Sequence, residues 1–97
     1  MKFVSLHRSS NPAKKFEVVL LSSEGRQHIV RFGATGSEDF TIHHDEARKA
    51  SYIQRHKTRE NWTRSGILTA GFWSRWLLWN QPTLASSLAD IRRRFRI

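Results

Sequence analysis

The chain has 97 residues and no Cys, and it sets 17 Lys and Arg against 8 Asp and Glu for a net charge of +9. That length supplies one domain rather than two. The missing Cys excludes disulfides, Cys-based zinc sites, iron–sulfur clusters and thiol catalysis. No apolar run approaches the roughly 18 residues of a membrane-crossing helix. The opening Met1–Arg8 is too broken in its apolar content for a secretory signal, so an intracellular setting is expected and secretion is not.

The N-terminal part reads as β. Residues 1–13 are a candidate arm, in which Phe3–Leu6 could form a short first strand and Arg8–Pro12 a turn. Lys14–Leu21 (KKFEVVLL) alternates: Phe16, Val18 and Leu20 share one face, Lys15, Glu17, Val19 and Leu21 the other. Ser22–Gly25 makes a turn, with Gly25 free to take positive φ. Arg26–Phe32 returns, with His28, Val30 and Phe32 on one face. Gly33–Asp39 is a loop, and Phe40–Ile42 reads as one more short strand.

The C-terminal part reads as helical. Asp45 caps a helix that runs to about Arg59, with Glu46 in its first turn and Ala47, Ala50, Ile53 and Tyr52 turned inward. Asn61–Gly66 is a break. Thr69 or Ser65 caps a second helix through Trp79, which Asn80-Gln81-Pro82 ends. Thr83 caps a third, whose stripe is Leu84, Leu88, Ile91 and Phe95. Strands followed by helices predict an α+β domain over 1–97: a small antiparallel sheet in 14–42, then three helices in 45–97 packed on one of its faces.

Charge is uneven along this order. Residues 1–40 hold six basic and four acidic side chains, and residues 41–97 hold eleven and four. The field that draws anionic partners therefore belongs to the helical half. Its candidate contacts are Arg48, Lys49, Arg55, Lys57, Arg59, Arg64 and Arg75, with Arg92, Arg93, Arg94 and Arg96 crowding the last helix. Interleaved aromatics are what single-stranded nucleic-acid grooves combine with such cations. The same positions also suit a plain solvated face.

Three Trp fall within Gly71–Trp79. On a regular helix Phe72, Trp76 and Trp79 form one stripe, with Trp73 and Leu77 beside it. These residues, with Trp62, are either core or a protein-docking interface. His43, His44 and His56 are thin candidates for a metal-dependent nuclease, since water activation needs a converging ligand set. Gly33–Ser37 lacks the Lys and following helix of a phosphate loop. No catalytic residue is assigned, no cofactor is implied, and no small-molecule substrate is inferred.

Several stretches carry a family resemblance: Arg31–Ala34, Asp39–His43, Tyr52–His56, Trp62, and above all Ser65–Asn80 (SGILTAGFWSRWLLWN) with Pro82–Leu84. Together they resemble a family of small basic proteins encoded by large DNA viruses of algae and protists. The pattern covers about Lys14 to Phe95 and leaves residues 1–13 outside. The layout is similar, more loosely, to short phage-encoded proteins. The resemblance implies viral origin; the family brings no assigned activity, so it transfers no catalytic roles. It implies a minor, capsid-associated virion component, with the Trp-rich helix against other virion proteins and the Arg-rich helices against acidic proteins or packaged DNA. The alternative is an intracellular protein that binds DNA or RNA without sequence preference.

Overall fold

A computed structural model describes all residues 1–97. The fold is α+β. Three antiparallel strands, β1 (Lys2–Arg8), β2 (Lys14–Leu21) and β3 (Gln27–Ala34), form a sheet in the order β1-β2-β3. Helical segments come next: α1 (Phe40–His43), α2 (Glu46–His56), a short 3-10 turn at Arg64–Gly66, α3 (Ala70–Trp73) running on into a π turn at Ser74–Leu78, and α4 (Leu84–Phe95).

The hairpin forms as its alternation predicts. Phe16 pairs with Phe32, Val18 with Val30 and Leu20 with His28, so one face of β2 and β3 is apolar. Gly25 closes the turn at φ +84°, and Ser22 and Arg26 bridge its base. The candidate arm is not an arm. Residues 2–8 pair along β2, from Lys2 opposite Leu21 to Arg8 opposite Phe16. A bulge between Phe3 and Ser5 leaves Val4 as the extra residue, which puts Phe3 and Leu6, three apart, on the same inner face.

The expected strand at Phe40–Ile42 is instead the helical turn α1. Asp39 caps it, accepting from the Thr41 backbone N–H at 3.0 Å and from Lys15 Nζ at 2.6 Å. A side chain bound to its own following backbone competes directly with strand pairing. Helix α2 begins where predicted, with Asp45 accepting from Ala47 and Arg48, but ends at His56. Its inward face also differs: Ala47 and Ala50 are exposed, whereas Tyr52 is buried and Lys49, Ile53 and His56 are half-buried. Tyr52 decides the rotation, because its ring has far more surface to cover than two Ala methyls.

Thr69, not Ser65, caps the next segment through its hydroxyl, which accepts from Phe72 N–H. The π turn resets which side chains align. Phe72 and Trp73 are buried together with Leu77 and Leu78, five residues on. In a regular α-helix residues five apart face different ways; the i→i+5 bonding of a π turn stacks them. The predicted Phe72–Trp76–Trp79 stripe is thereby split, with Phe72 in the core and Trp76 and Trp79 half-buried beside it. Helix α4 keeps its predicted cap and stripe: Thr83 and Ser86 form a reciprocal capping box, Ile91 and Phe95 are buried, and Leu84 and Leu88 pack against the core.

The core lies between one sheet face and the helices. Val18, Leu20, Val30 and Phe32 come from the sheet, and Ile67, Phe72, Trp73, Leu77, Leu78, Ile91 and Phe95 from beyond residue 56. No helix is long and apolar enough to cross a membrane.

Candidate anionic-partner interface

The cations divide by what faces them. Lys15 pairs with buried Asp39, Arg31 with buried Glu17 at 3.1 Å, Arg48 with Glu38 at 3.0 Å, and Lys49 with Glu46 at 3.4 Å. Lys49 also donates to the Asn80 carbonyl at 3.1 Å and lies 4.4 Å from the Phe40 ring centroid. These three contacts are structural, so Lys49 is drawn into the fold. Arg93 and Arg94 share Asp90, at 2.8 and 3.2 Å. Arg55, Lys57, Arg59, Arg64, Arg75, Arg92 and Arg96 have no carboxylate within salt-bridge distance.

Arg75 is the most informative of these. The π turn sets it over two indoles, 4.5 Å from the Trp76 ring and 5.6 Å from Trp62. Its guanidinium donates to the Trp79 carbonyl at 2.6 Å. Arg94 lies 4.5 Å from the same Trp76 ring, and Arg64 donates to the Phe95 carbonyl at the end of α4. Burial, and after it the neighbouring Arg94 cation, lower the Arg75 pKa. A half-buried guanidinium crowded by a second cation and lacking a carboxylate is electrostatically unfinished; an arriving anion relieves both costs.

The indoles are pinned. Trp73 donates to the Ile67 carbonyl at 2.7 Å and is fully buried. Trp76 donates to the Trp62 carbonyl at 2.9 Å and meets Phe95 edge-on at 5.5 Å. Trp79 stacks on Tyr52 at 4.5 Å and 5°, and His56 covers the Tyr52 ring at 4.3 Å and 27°. Burial, then the Glu60 carboxylate, push the Tyr52 phenol up to about 12, so it stays a neutral hydroxyl. Phe72 and Trp73 are therefore core, and Trp62, Trp76 and Trp79 are half-buried.

The three candidate His ligands point to separate partners. His43 Nδ1 accepts from the Asp45 N–H at 2.9 Å, which places the ring proton of the neutral form on Nε2. His44 Nε2 meets the Pro82 carbonyl at 2.9 Å. His56 stacks on Tyr52 with Glu60 3.9 Å from its Nδ1. No three His, Asp or Glu side chains converge at a spacing that would hold a metal ion.

Two functional features escape the sequence. The π turn, which aims Arg75 at Trp62 and Trp76, leaves no signature that a 3.6-residue pattern would detect. Glu60 folds back over the first turn of α3, its Oε2 end lying where a Cβ of residue 71 would stand. The signal for that close approach is Gly71 just inside the helix start.

One family model matches the chain, over residues 4–56, more than half its length; it describes a family of unknown function (DUF5754). The chain belongs to that family. The match takes in β1, the hairpin, α1 and α2, starts within the stretch that the viral resemblance leaves out, and stops before Ser65–Thr83. No curated protein and no solved structure matches the chain.

Proposed function

We propose that this protein is a non-enzymatic binding module whose basic C-terminal face holds the phosphate backbone of nucleic acid. The observation that carries this is Arg75: half-buried on Trp62 and Trp76, flanked by Arg94, and without a carboxylate of its own. Phosphate contacts are positioning, sequence-independent interactions made by such arginines. The viral resemblance makes an infected cell or a virus particle the setting, with the protein as a companion of viral nucleic acid.

Binding to a generic DNA fragment across a salt series is the test. Each phosphate neutralised steepens the slope of log affinity against log salt by about 0.7 to 0.9. A steep slope is expected, and Arg75→Gln lowers it by about one contact. Absence of binding at low salt sinks the proposal.

A minor capsid-associated role is favoured by a different observation, the uncovered face of the sheet. Val4 and Ile29 are exposed there at 52% and 44%, and Val19, opposite Ile29 on β2, is buried. The predicted docking element shifts accordingly, since the Trp-bearing segment spends Phe72, Trp73, Leu77 and Leu78 on its own core. If purified particles lack the protein, that role is lost while nucleic-acid binding stands.

A further inference from the structure

Beside the basic face lies a groove of about 1120 Å³ between the end of β3, α2 and α3. Its wall carries one end of an aromatic column. Trp79, Tyr52 and His56 stack in that order, and His56 is the terminal ring, with no further aromatic partner beyond Tyr52. Its side chain is 27% exposed. Unpaired Lys14 and Arg55 stand on the rim with Arg48. Of the acids in the lining, Asp39 is engaged by Lys15 and Thr41 and Glu38 by Arg48, while Glu60 lies over Gly71 with His56 Nδ1 3.9 Å away. Gly33 lines the groove at φ +80°, where a Cβ would press on Lys15 and Leu78.

We propose that this groove takes an unstacked nucleobase onto His56 while Arg55 and Lys14 hold the flanking phosphates, so the protein prefers single-stranded nucleic acid to duplex. In a duplex the faces of the bases are occupied by their own stack, and only base edges and the sugar-phosphate backbone are accessible. In a single strand a base is free to extend an aromatic column, and stacking tolerates any base because every base has a π face. The inference rests on the nucleic-acid proposal above and deepens it.

The experiment compares labelled oligo-dT with a duplex of equal phosphate number at one salt concentration, followed by fluorescence anisotropy. The full-length chain is expected to favour the single strand by about ten-fold, within the range one stacked base supplies. Ser51, exposed on the groove wall, offers a blocking variant that removes no contact in the aromatic column. Ser51→Leu, which fills space without offering a π face, should bring single-strand affinity down to the duplex value and leave duplex affinity unchanged, with circular dichroism confirming the fold. His56→Ala should do the same, and His56→Phe should restore the preference, which a merely structural role would not require. Equal affinities for strand and duplex in the unmodified protein overturn the inference and leave the nucleic-acid proposal standing. So does a preference that survives Ser51→Leu. A poly-glutamate peptide that binds with the same sensitivity to Ser51→Leu also overturns it, because the groove would then serve acidic protein. Binding to neither strand nor duplex at low salt removes both proposals.

Discussion

Residues 1–56 and residues 57–97 solve the same problem, keeping a basic chain folded, in opposite ways. The first region has nine cations and six carboxylates and the second eight and two. In the first, Lys15, Arg31, Arg48 and Lys49 each have a carboxylate partner, and two of those partners, Asp39 and Glu17, are buried. In the second, Asp90 serves both Arg93 and Arg94, and Arg64, Arg75 and Arg92 lie on rings and carbonyls. The first region ties four of its cations to carboxylates, with Lys14 and Arg55 among those left unpaired; the second leaves all but Arg93 and Arg94 without a carboxylate. Yet the second supplies most of the core, so the family-matched segment cannot close its sheet without it. Folding and the proposed binding thus overlap in the second region and are separable only residue by residue.

The largest expected effect tests how far the sheet depends on the helices beyond residue 56. Trp73 is fully buried and lies 6.1 Å from Phe32, centroid to centroid. Trp73→Ala should cost about 3–5 kcal/mol through lost contacts and the cavity left behind. For a domain this small that is most of the stability. Urea unfolding followed by far-UV circular dichroism measures it. A loss below about 1 kcal/mol would mean that the sheet holds itself.

A paired comparison sharpens the division of charge. Lys15→Met strands the buried Asp39 carboxylate and should cost about 3 kcal/mol, with the salt slope of DNA binding unchanged. Arg59→Gln with Arg92→Gln, both exposed and without carboxylate partners, should leave stability within about 0.5 kcal/mol and reduce the slope. The opposite pattern would place the binding face on the sheet side.

Acid sensitivity arises from one buried carboxylate in each region. The Ser10 amide, with help from the Ser10 hydroxyl and Arg31, holds Glu17 below its ordinary 4.5 against the opposing effect of burial. Burial pushes Asp90 up from its ordinary 3.8, but hydrogen bonds from Asn80, Arg94 and Arg93 outweigh it and hold the group lower. In both cases the unfolded chain binds the proton more tightly. Their contribution is therefore complete above about pH 5 and is lost as pH falls through the depressed folded values. Thermal melts from pH 7 to pH 2 should show the decline, and Glu17→Gln and Asp90→Asn should each flatten it.

The features legible in the sequence are those that period and capping chemistry control. The hairpin, the Asp45 and Thr83 caps and the α4 stripe each have a local cause that acts the same way in any context. Phe40–Ile42 reads as strand and folds as helix because its β-like composition is outvoted by one hydrogen-bonding side chain, Asp39, whose partner Lys15 is 24 residues away. The inward face of α2 is legible in part: Tyr52 and Ile53 turn inward as expected, while Ala47 and Ala50 are exposed because Trp79, on which Tyr52 stacks, arrives from another segment. At the site, the candidate cations are legible as a set. Which of them stay unpaired is not, because pairing is a tertiary property: Lys49 and Arg55 look alike in sequence, yet one is held by Glu46 and Asn80 and the other lines the groove.

The smallest expected effect separates the two uses of the C-terminal region most cleanly. Arg96 ends α4 at φ 54° and ψ 52°, a left-handed conformation that Gly adopts without penalty and side chains resist. Its side chain is exposed and has no carboxylate partner, so nothing in the fold depends on its charge. Arg96→Gly should therefore stabilise the protein by up to about 1 kcal/mol while removing one cation from the basic end of α4. If that cation meets phosphate, the same variant melts higher and binds DNA less tightly, and the two changes have opposite signs. If stability falls instead, the cation is compensating the α4 carbonyl ends, where helix polarity favours positive charge. The end of α4 would then belong to the fold, and the binding face would contract to Arg64, Arg75 and Arg94 around Trp76.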